Sequence, residues 1–489
     1  MTLSDTIEAL NSKTGILIAG DWKDGDRQPF EVHDPADESV LAVVADGGAR
    51  RAGEAVDAAA AAAGVWASTS PRARSDALMR VFHLMLERLD ELAELISAEN
   101  GKAIADSRAE VAYAAEFFRW YAEEAVRPRG DFGSSPTGGV RTVVSHRPVG
   151  VAALITPWNF PAAMATRKIA PALAAGCTVV LKPASETPLT ALALARLVAD
   201  AGVPSGVLNI VPTTEPQEVV TTWIEDPRVR ALSFTGSTGV GRALLAQAAQ
   251  RVLKTSMELG GNAPFIVMAD ADVSAAVDGA MTAKFRGGGQ ACTAANRFYV
   301  HESVARHFIG MLSERIEALR VGPGSDLSSQ VGPLISSKAV TGIGELVADA
   351  VRRGARVAAQ ADVPSHLTGH FVAPTLLVDV PFDARVVQEE IFGPVAPVVT
   401  WRDVEQLVQM VNEPDVGLAS YIYSRDLKQA MQIAERIEVG MVGINRGLVS
   451  DPSAPFGGMK QSGLGREGAR EGLVEYQETQ YYSLDWSTP

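Results

Sequence analysis

The stretch FRGGGQACTAANRF, residues 285–298, holds one of only two cysteines in a chain of 489 residues. Three glycines run before Cys292, where a buried helix or strand would carry side chains. A thiol is either a small core hydrophobe or, as thiolate in a polar and accessible setting, a nucleophile. Cys177 supplies the contrast. It enters the apolar run of LAAGCTVVLK with no base nearby in sequence, and it reads as core packing. Glu258, in MELGGN, stands between apolar residues and two glycines. A carboxylate in that setting has a raised pKa, as a general base needs, although many strand-end glutamates are simply exposed. Asn159 lies between Trp158 and Phe160, which suits a partly buried amide donor or an ordinary turn. Lys182 ends an apolar run before Pro183 and is either a ligand for ribose hydroxyls or a solvated lysine. FTGSTGVG, residues 234–241, is a glycine-rich turn opening a helix, where backbone N–H groups can meet a pyrophosphate. Its spacing is not G-x-G-x-x-G, so a plain strand-to-helix turn explains it equally well. His366 and His370 in HLTGH have i,i+4 spacing. Thr368 and Gly369 oppose a helix there and no acidic or cysteine cluster flanks it, so no metal site is expected.

These residues need elements to carry them. Long helices are expected over 51–65 and 71–99, rich in Ala, Leu, Arg and Glu. Residues 141–156 read as strand, turn and strand, punctuated at Pro148-Val149-Gly150. A regular alternation follows: helix 161–175, strand CTVVLK, helix 188–201, strand VLNIV, helix 216–225, strand VRALSFT, helix 239–250, strand TSMEL. Strands separated by helices at this spacing mean βαβ units and a parallel sheet. Ligands bind such sheets at the carboxyl ends of strands, where TPWNFP, KPASET, FTGSTGVG and MELGGN stand. A second alternation starts near 262. It has helices at 272–285, 302–319, 336–352, 403–412 and 426–437, and strands at 297–300, 418–423 and 441–445. The chain is therefore expected to be α/β with two such domains. VEYQETQYYSLDW reads as a late strand with no partner nearby in sequence, so pairing with another subunit is expected.

Composition bounds the function. A chain of 489 residues exceeds one compact core. A formal charge of −14 argues against nucleic acid, whose phosphates need a basic face. No run of about 18 apolar residues exists, so no membrane span is expected. Two cysteines build no disulfide framework, and MTLSDTIEALNSKTG has no secretory signal pattern. The cytoplasm is the expected location.

Taken together, TPWNFP, LKPASETP, FTGSTGVG, MELGGNAP, GGQACTAANR, EEIFGPV and PFGGMKQSGLGREG resemble the aldehyde dehydrogenase superfamily, in its order and at its spacing, over nearly the whole chain. The resemblance implies that Cys292 attacks an aldehyde to give a thiohemiacetal. The Asn159 amide and the Cys292 N–H would hold the oxyanion, and hydride loss to a nicotinamide would leave a thioester. Glu258 would activate the water that releases the acid. The glycines before Cys292 would let backbone and cofactor approach closely. Glu390 would bind the nicotinamide ribose and Phe392 would pack near the ring. Thr156, Trp158, Lys182, Ser185, Thr235, Gly236, Ser237 and Leu259 would line the cofactor cleft.

Family members that use NAD mostly carry Glu three residues after the lysine. Ser185 stands there, so NADP is expected, with NAD possible; Glu186 lies one residue late for the NAD role. Arg167, Arg286 and Ser450 resemble the succinate-semialdehyde branch, in which two arginines and a serine bind the substrate carboxylate. Glutarate semialdehyde carries the same two end groups and is the alternative substrate, followed by a general aliphatic aldehyde. Ala294 stands where some relatives carry a second cysteine, so no local disulfide switch is expected. Arg446 sits where relatives often have Glu or Thr, and would bias the substrate mouth or be solvated. Coenzyme A-dependent relatives generally lack a Glu at the base position, and here it is Glu258. The resemblance further implies a cofactor domain of 1–125 and 149–259, and a catalytic domain of 260–463. A bridging β-sheet would be built from 126–148 and 464–489, giving a homodimer or homotetramer.

Overall fold

The computed structural model describes residues 13–487. Its first large sheet has the spatial order Asp21–Lys23, Ile16–Ile18, Leu208–Ile210, Thr178–Lys182, Val151–Ile155, Val229–Thr235, Lys254–Glu258, Gly463–Leu464. The strands from Leu208–Ile210 to Lys254–Glu258 run parallel. Helices Pro161–Ala175, Pro188–Asp200, Pro216–Glu225 and Thr238–Ala249 connect them, as the alternation in sequence requires. From Val151–Ile155 the chain adds two strands on one side, then returns to lay Val229–Thr235 on the other. The strand order reverses between these neighbours, so the loops after Ile155 and Thr235 open a crevice at their carboxyl ends.

The second large sheet has the order Arg356–Gln360, Thr375–Val378, Val395–Trp401, Ala295–His301, Ala263–Val267, Ala419–Tyr423, Met441–Ile444. All but the first edge strand are parallel. Strands Val151–Ile155, Thr178–Lys182 and Ala263–Val267 are buried at every residue, which is why they read as unbroken apolar runs. Glu258 closes a strand of the first sheet, and residues 260–262 lead straight to Ala263 in the second. The chemistry sits at this crossing.

Helix Pro161–Ala175 is buried at all 15 positions, Arg167 and Lys168 included. Buried charges cost several kcal/mol unless paired, so this helix dictates much of the surrounding polar architecture. It and Pro188–Asp200 both start with Pro, and neither receives a cap from the residue before it. Remote glutamates accept their orphan N–H groups instead. Glu110 Oε1 accepts from Ala162 and Ala163 at 2.9 and 3.2 Å. The two oxygens of Glu99 accept from Leu189 and Thr190 at 2.8 and 2.9 Å.

Three expectations change. The helix expected over 71–99 is two, Pro71–Glu87 and Leu89–Asn100, broken at Arg88 with φ −109° and ψ 25°. Asp90 and Glu91 favour a fresh N-terminus there. Helix Ile104–Ala125 and strands Arg356–Gln360, Thr375–Val378 and Val395–Trp401 went unread. The C-terminal strand Gln477–Asp485 does have a partner in its own chain: it pairs antiparallel with Val140–Pro148, whose other edge takes Asp131–Ser134. The outer edge of Gln477–Asp485 pairs with no described strand, and Phe132, Tyr481 and Trp486 are well exposed on this small sheet.

Candidate active site

Cys292 lies just before Ala295–His301, where two cavities meet. One, of about 160 Å³, is lined by Tyr113, Phe160, Arg167, Arg286, Ser450 and Phe456, among others. The other, of about 240 Å³, is lined by Asn159, Thr235, Glu258, Leu259, Glu390 and Phe392, among others. Met164 and Cys292 line both. The glycines before the thiol have a second reason besides the close backbone approach expected of them. Gly287, Gly288 and Gly289 take φ of 59°, 64° and 73°, the left-handed region that side chains disfavour. A Cβ on Gly289 would also lie 2.4 Å from the Gly393 carbonyl oxygen. This turn swings the chain from helix Val273–Phe285 to Cys292.

Cys292 keeps partial exposure, yet burial of its surroundings pushes the thiol up to about 12. Arg167 works against that rise, and the charges of Glu390, Glu258 and Glu467 add to it. The resting site thus holds a thiol rather than a thiolate. The Cys292 N–H meets no acceptor among the described residues. Asn159 is buried and its Nδ2 donates to the Gln290 carbonyl at 2.9 Å, which leaves the second N–H of the amide for another acceptor.

Glu258 is buried, and neither carboxylate oxygen has a hydrogen-bond partner. Burial holds its pKa well above the ordinary range, and the nearby Glu467 adds to the rise, while Lys168, Arg167 and Arg466 oppose it. Gly457 allows this placement, since a Cβ there would lie 2.9 Å from Glu258 Oε1. A desolvated carboxyl with free oxygens in the same cavity as a thiol is a candidate general base.

The arginines occupy the neighbouring cavity. Arg167 is ion-paired to Glu467 at 3.3 Å and lies over the Phe456 ring at 4.1 Å, and its Nε has no partner. Glu467 also takes Lys168 at 2.5 Å, and Lys168 donates to Ser233 Oγ at 2.8 Å. Arg286 has no ion pair or hydrogen bond among the described residues, and its guanidinium lies 5.5 Å from the Phe160 ring centre. Ser450 lines the same cavity, together with the Tyr113 phenol. Burial raises the Tyr113 pKa, and both arginines and the Ser450 hydroxyl oppose that. Two guanidiniums and two hydroxyls thus line a small cavity together with the thiol. That set matches a carboxylate.

A third cavity, of about 670 Å³, continues along the first sheet past Thr156, Trp158, Lys182, Thr235, Gly236 and Ser237. Helix Thr238–Ala249 starts at its wall, so backbone N–H groups and the positive helix end face it. Lys182 is buried without an ion pair or hydrogen bond of its ammonium among the described residues, and Thr235 Oγ1 is buried without a partner. Unpaired polar groups of this kind along a long cleft fit a dinucleotide. Trp158 and Phe392 meet edge to face at 5.4 Å. Glu390 accepts from the Gly261 N–H at 3.2 Å, and burial lifts its pKa to about 7. Ser185 stands apart from this wall. It lines an adjacent cavity with Glu186 and donates to the Glu186 carboxylate at 3.2 Å.

Sequence reasoning missed Glu467, Lys168, Tyr113 and a polar set in residues 99–110. Glu467 lies in the quoted GREG run, so the position was visible without its role. Among the described residues no group of three or more His, Cys, Asp or Glu is placed to hold a metal. His370 instead meets Glu38 at 3.0 Å. No helix of the described residues is long and apolar enough to cross a membrane.

Comparison with known proteins agrees with this geometry. Residues 22–482 match the model of the aldehyde dehydrogenase family. A succinate-semialdehyde dehydrogenase of Paenarthrobacter nicotinovorans is 50% identical over 91% of this chain and 99% of its own. A glutarate-semialdehyde dehydrogenase of Pseudomonas aeruginosa is 47% identical over 96% of both chains. The crystal structure of an Escherichia coli NADP-dependent enzyme superposes with a TM-score of 0.96 at 45% identity, covering 98% of this chain and 99% of that one.

Proposed function

Because the chain belongs to the aldehyde dehydrogenase family, we propose that it oxidises succinate semialdehyde to succinate with NADP, NAD being the alternative cofactor. The observation that carries this reading is the one cavity that places Arg167, Arg286 and Ser450 at its walls together with Cys292. Guanidiniums bind a carboxylate by charge and by paired N–H donors, so the aldehyde carbon is delivered to the thiol in a fixed pose.

Cys292 Sγ bonds the aldehyde carbon, and its thiol proton leaves through the site's carboxylates, Glu258 being the one beside it. The second N–H of Asn159 and the Cys292 N–H hold the resulting oxyanion. Thr156, Trp158, Lys182, Thr235, Gly236, Ser237, Leu259, Glu390 and Phe392 would hold the nicotinamide dinucleotide, and Ser185, which lines a separate cavity, would meet it only if the dinucleotide reached that far. When bound, it supplies the hydride acceptor that leaves Cys292 as a thioester. Glu258 then takes a proton from water, and the hydroxide displaces the thiolate to release the acid.

Glutarate semialdehyde is the second reading, favoured by the Pseudomonas aeruginosa relative. The two large sheets and the three-stranded sheet support a division into cofactor, catalytic and bridging parts. The free edge and exposed aromatics of the small sheet support a homodimer or homotetramer joined there. Free cysteines support a reducing compartment, and we place the protein in the cytoplasm. The deciding experiment compares kcat/KM for succinate semialdehyde, glutarate semialdehyde and butyraldehyde. A preference above about a hundredfold for a semialdehyde, about 2.7 kcal/mol, is expected. Near-equal values for succinate semialdehyde and butyraldehyde would retire the carboxylate site. A larger value for glutarate semialdehyde would move the assignment to the second reading.

A further inference from the structure

The segment 99–110 lines the cavity of Cys292 and is tied to several other walls of the site. Asn100 Nδ2 donates to the Trp158 carbonyl at 3.0 Å. Lys102 Nζ donates to the next carbonyl, that of Asn159, at 2.8 Å. The same ammonium lies 3.7 Å from the centre of the Phe160 ring and is ion-paired to Glu110 at 2.5 Å. Both side chains of the pair are essentially sealed from water, at 1% and 0% exposure. Glu110 turns its other oxygen to the N–H groups of Ala162 and Ala163, which start the helix carrying Arg167. Asp106 accepts from the Gly287 N–H at 2.7 Å, next to Arg286.

A buried pair of this kind is a poor source of stability, because desolvation offsets most of its attraction. Its directional bonds carry more information. The Asn159 backbone is gripped at its carbonyl by Lys102, and its side chain by the Gln290 carbonyl. Those two points fix the amide in space at the cavity it shares with Cys292. An oxyanion donor works only within a few tenths of an ångström of its place.

We infer that Lys102, held by Glu110, is a positioning residue that sets the Asn159 amide at the Cys292 thiol. The inference rests on the reading of Asn159 as an oxyanion donor. The cycle Lys102→Met, Asn159→Ala and the double variant, followed by NADPH formation, tests it and separates the two. Asn159→Ala is expected to lower kcat about a hundredfold or more. Lys102→Met is expected to lower kcat about tenfold or more with the KM for NADP unchanged. In the Asn159→Ala background Lys102→Met is then expected to have almost no further effect, because the group it places is gone. Lys102→Arg, which keeps charge and donors, is expected to recover part of the rate. Losses that multiply in the double variant would overturn the positioning role and leave the oxyanion reading intact. Full kcat in Asn159→Ala would overturn both. If Lys102→Met does not accumulate as folded protein, Glu110→Gln replaces it in the same cycle. That change keeps an acceptor for Ala162 and Ala163 and removes the charge that holds Lys102, and multiplying losses again overturn the inference.

Discussion

Arg167 and Arg286 line one cavity in different electrostatic company: Arg167 is paired to Glu467 at 3.3 Å, and Arg286 meets no carboxylate within ion-pair distance among the described residues. The two arginines are therefore not equivalent, and their variants are expected to fail differently. Arg286→Met should lower kcat/KM for succinate semialdehyde by about a hundredfold while sparing butyraldehyde and the melting temperature. Arg167→Met should lower the same ratio and also the melting temperature, because Glu467 is left buried with Lys168 alone. Equal loss of both aldehydes in Arg286→Met would mean that its guanidinium does not read the carboxylate.

Among the described residues Glu258 has both oxygens free, whereas Glu390, the other carboxylate of the cavity, accepts from the Gly261 N–H. Glu258→Gln is expected to form the thioester and to hydrolyse it slowly. Rapid mixing should show a burst of about one NADPH per site followed by turnover reduced about 10²–10⁴-fold. Normal steady-state turnover would assign water activation to another group.

Burial disfavours the charged form of both groups: the Cys292 thiol is pushed up to about 12, and Glu258 is held well above the ordinary carboxylate range. Each becomes active on losing its proton, so activity should rise with pH. We expect kcat/KM to climb steadily between pH 6 and pH 9, with no plateau in the acidic half. Glu258→Gln should flatten the pH dependence of kcat, which contains thioester hydrolysis. A profile that is flat or falling over this range is incompatible with the resting protonation described above.

Ser185 donates to Glu186 at 3.2 Å, and the Glu186 charge raises the Lys182 pKa against the lowering by burial. Glu186 would therefore compete with a 2′-phosphate bound there for the serine hydroxyl and the lysine charge. Glu186→Gln is expected to raise the NADP-to-NAD ratio of kcat/KM by about tenfold, and Lys182→Met to lower it. An unchanged ratio in Glu186→Gln would remove this residue from cofactor choice.

Much of this was legible without coordinates. Helix Pro161–Ala175 announces itself with Pro at its start and Gly176 after its end, where φ is 95°. The βαβ alternation placed four loops at strand ends, and all four reach the site. Helix Ile104–Ala125 was hidden for a physical reason. Its buried face includes Ser107, Glu110 and Glu124, so apolar periodicity gives no clean stripe. Those polar residues pair mostly with groups far along the chain, as Glu110 does with Ala162 and Glu124 with Arg470. Glu467 escaped notice likewise. It reads as a surface acid, and only Arg167 and Lys168, some 300 residues earlier, bury it. The glycines before Cys292 were read for close approach, which Gly289 makes to Gly393, but a sequence shows that side chains are absent and not which dihedral demands it.

The cavity of the arginines and the cavity of Glu258 share only Met164 and Cys292. One thioether and one thiol are thus the two side chains that border both cavities. The tastes of the enzyme are inherited separately as a result: a lineage can rewrite which aldehyde enters on one side, or which dinucleotide on the other, without touching the reaction that joins them.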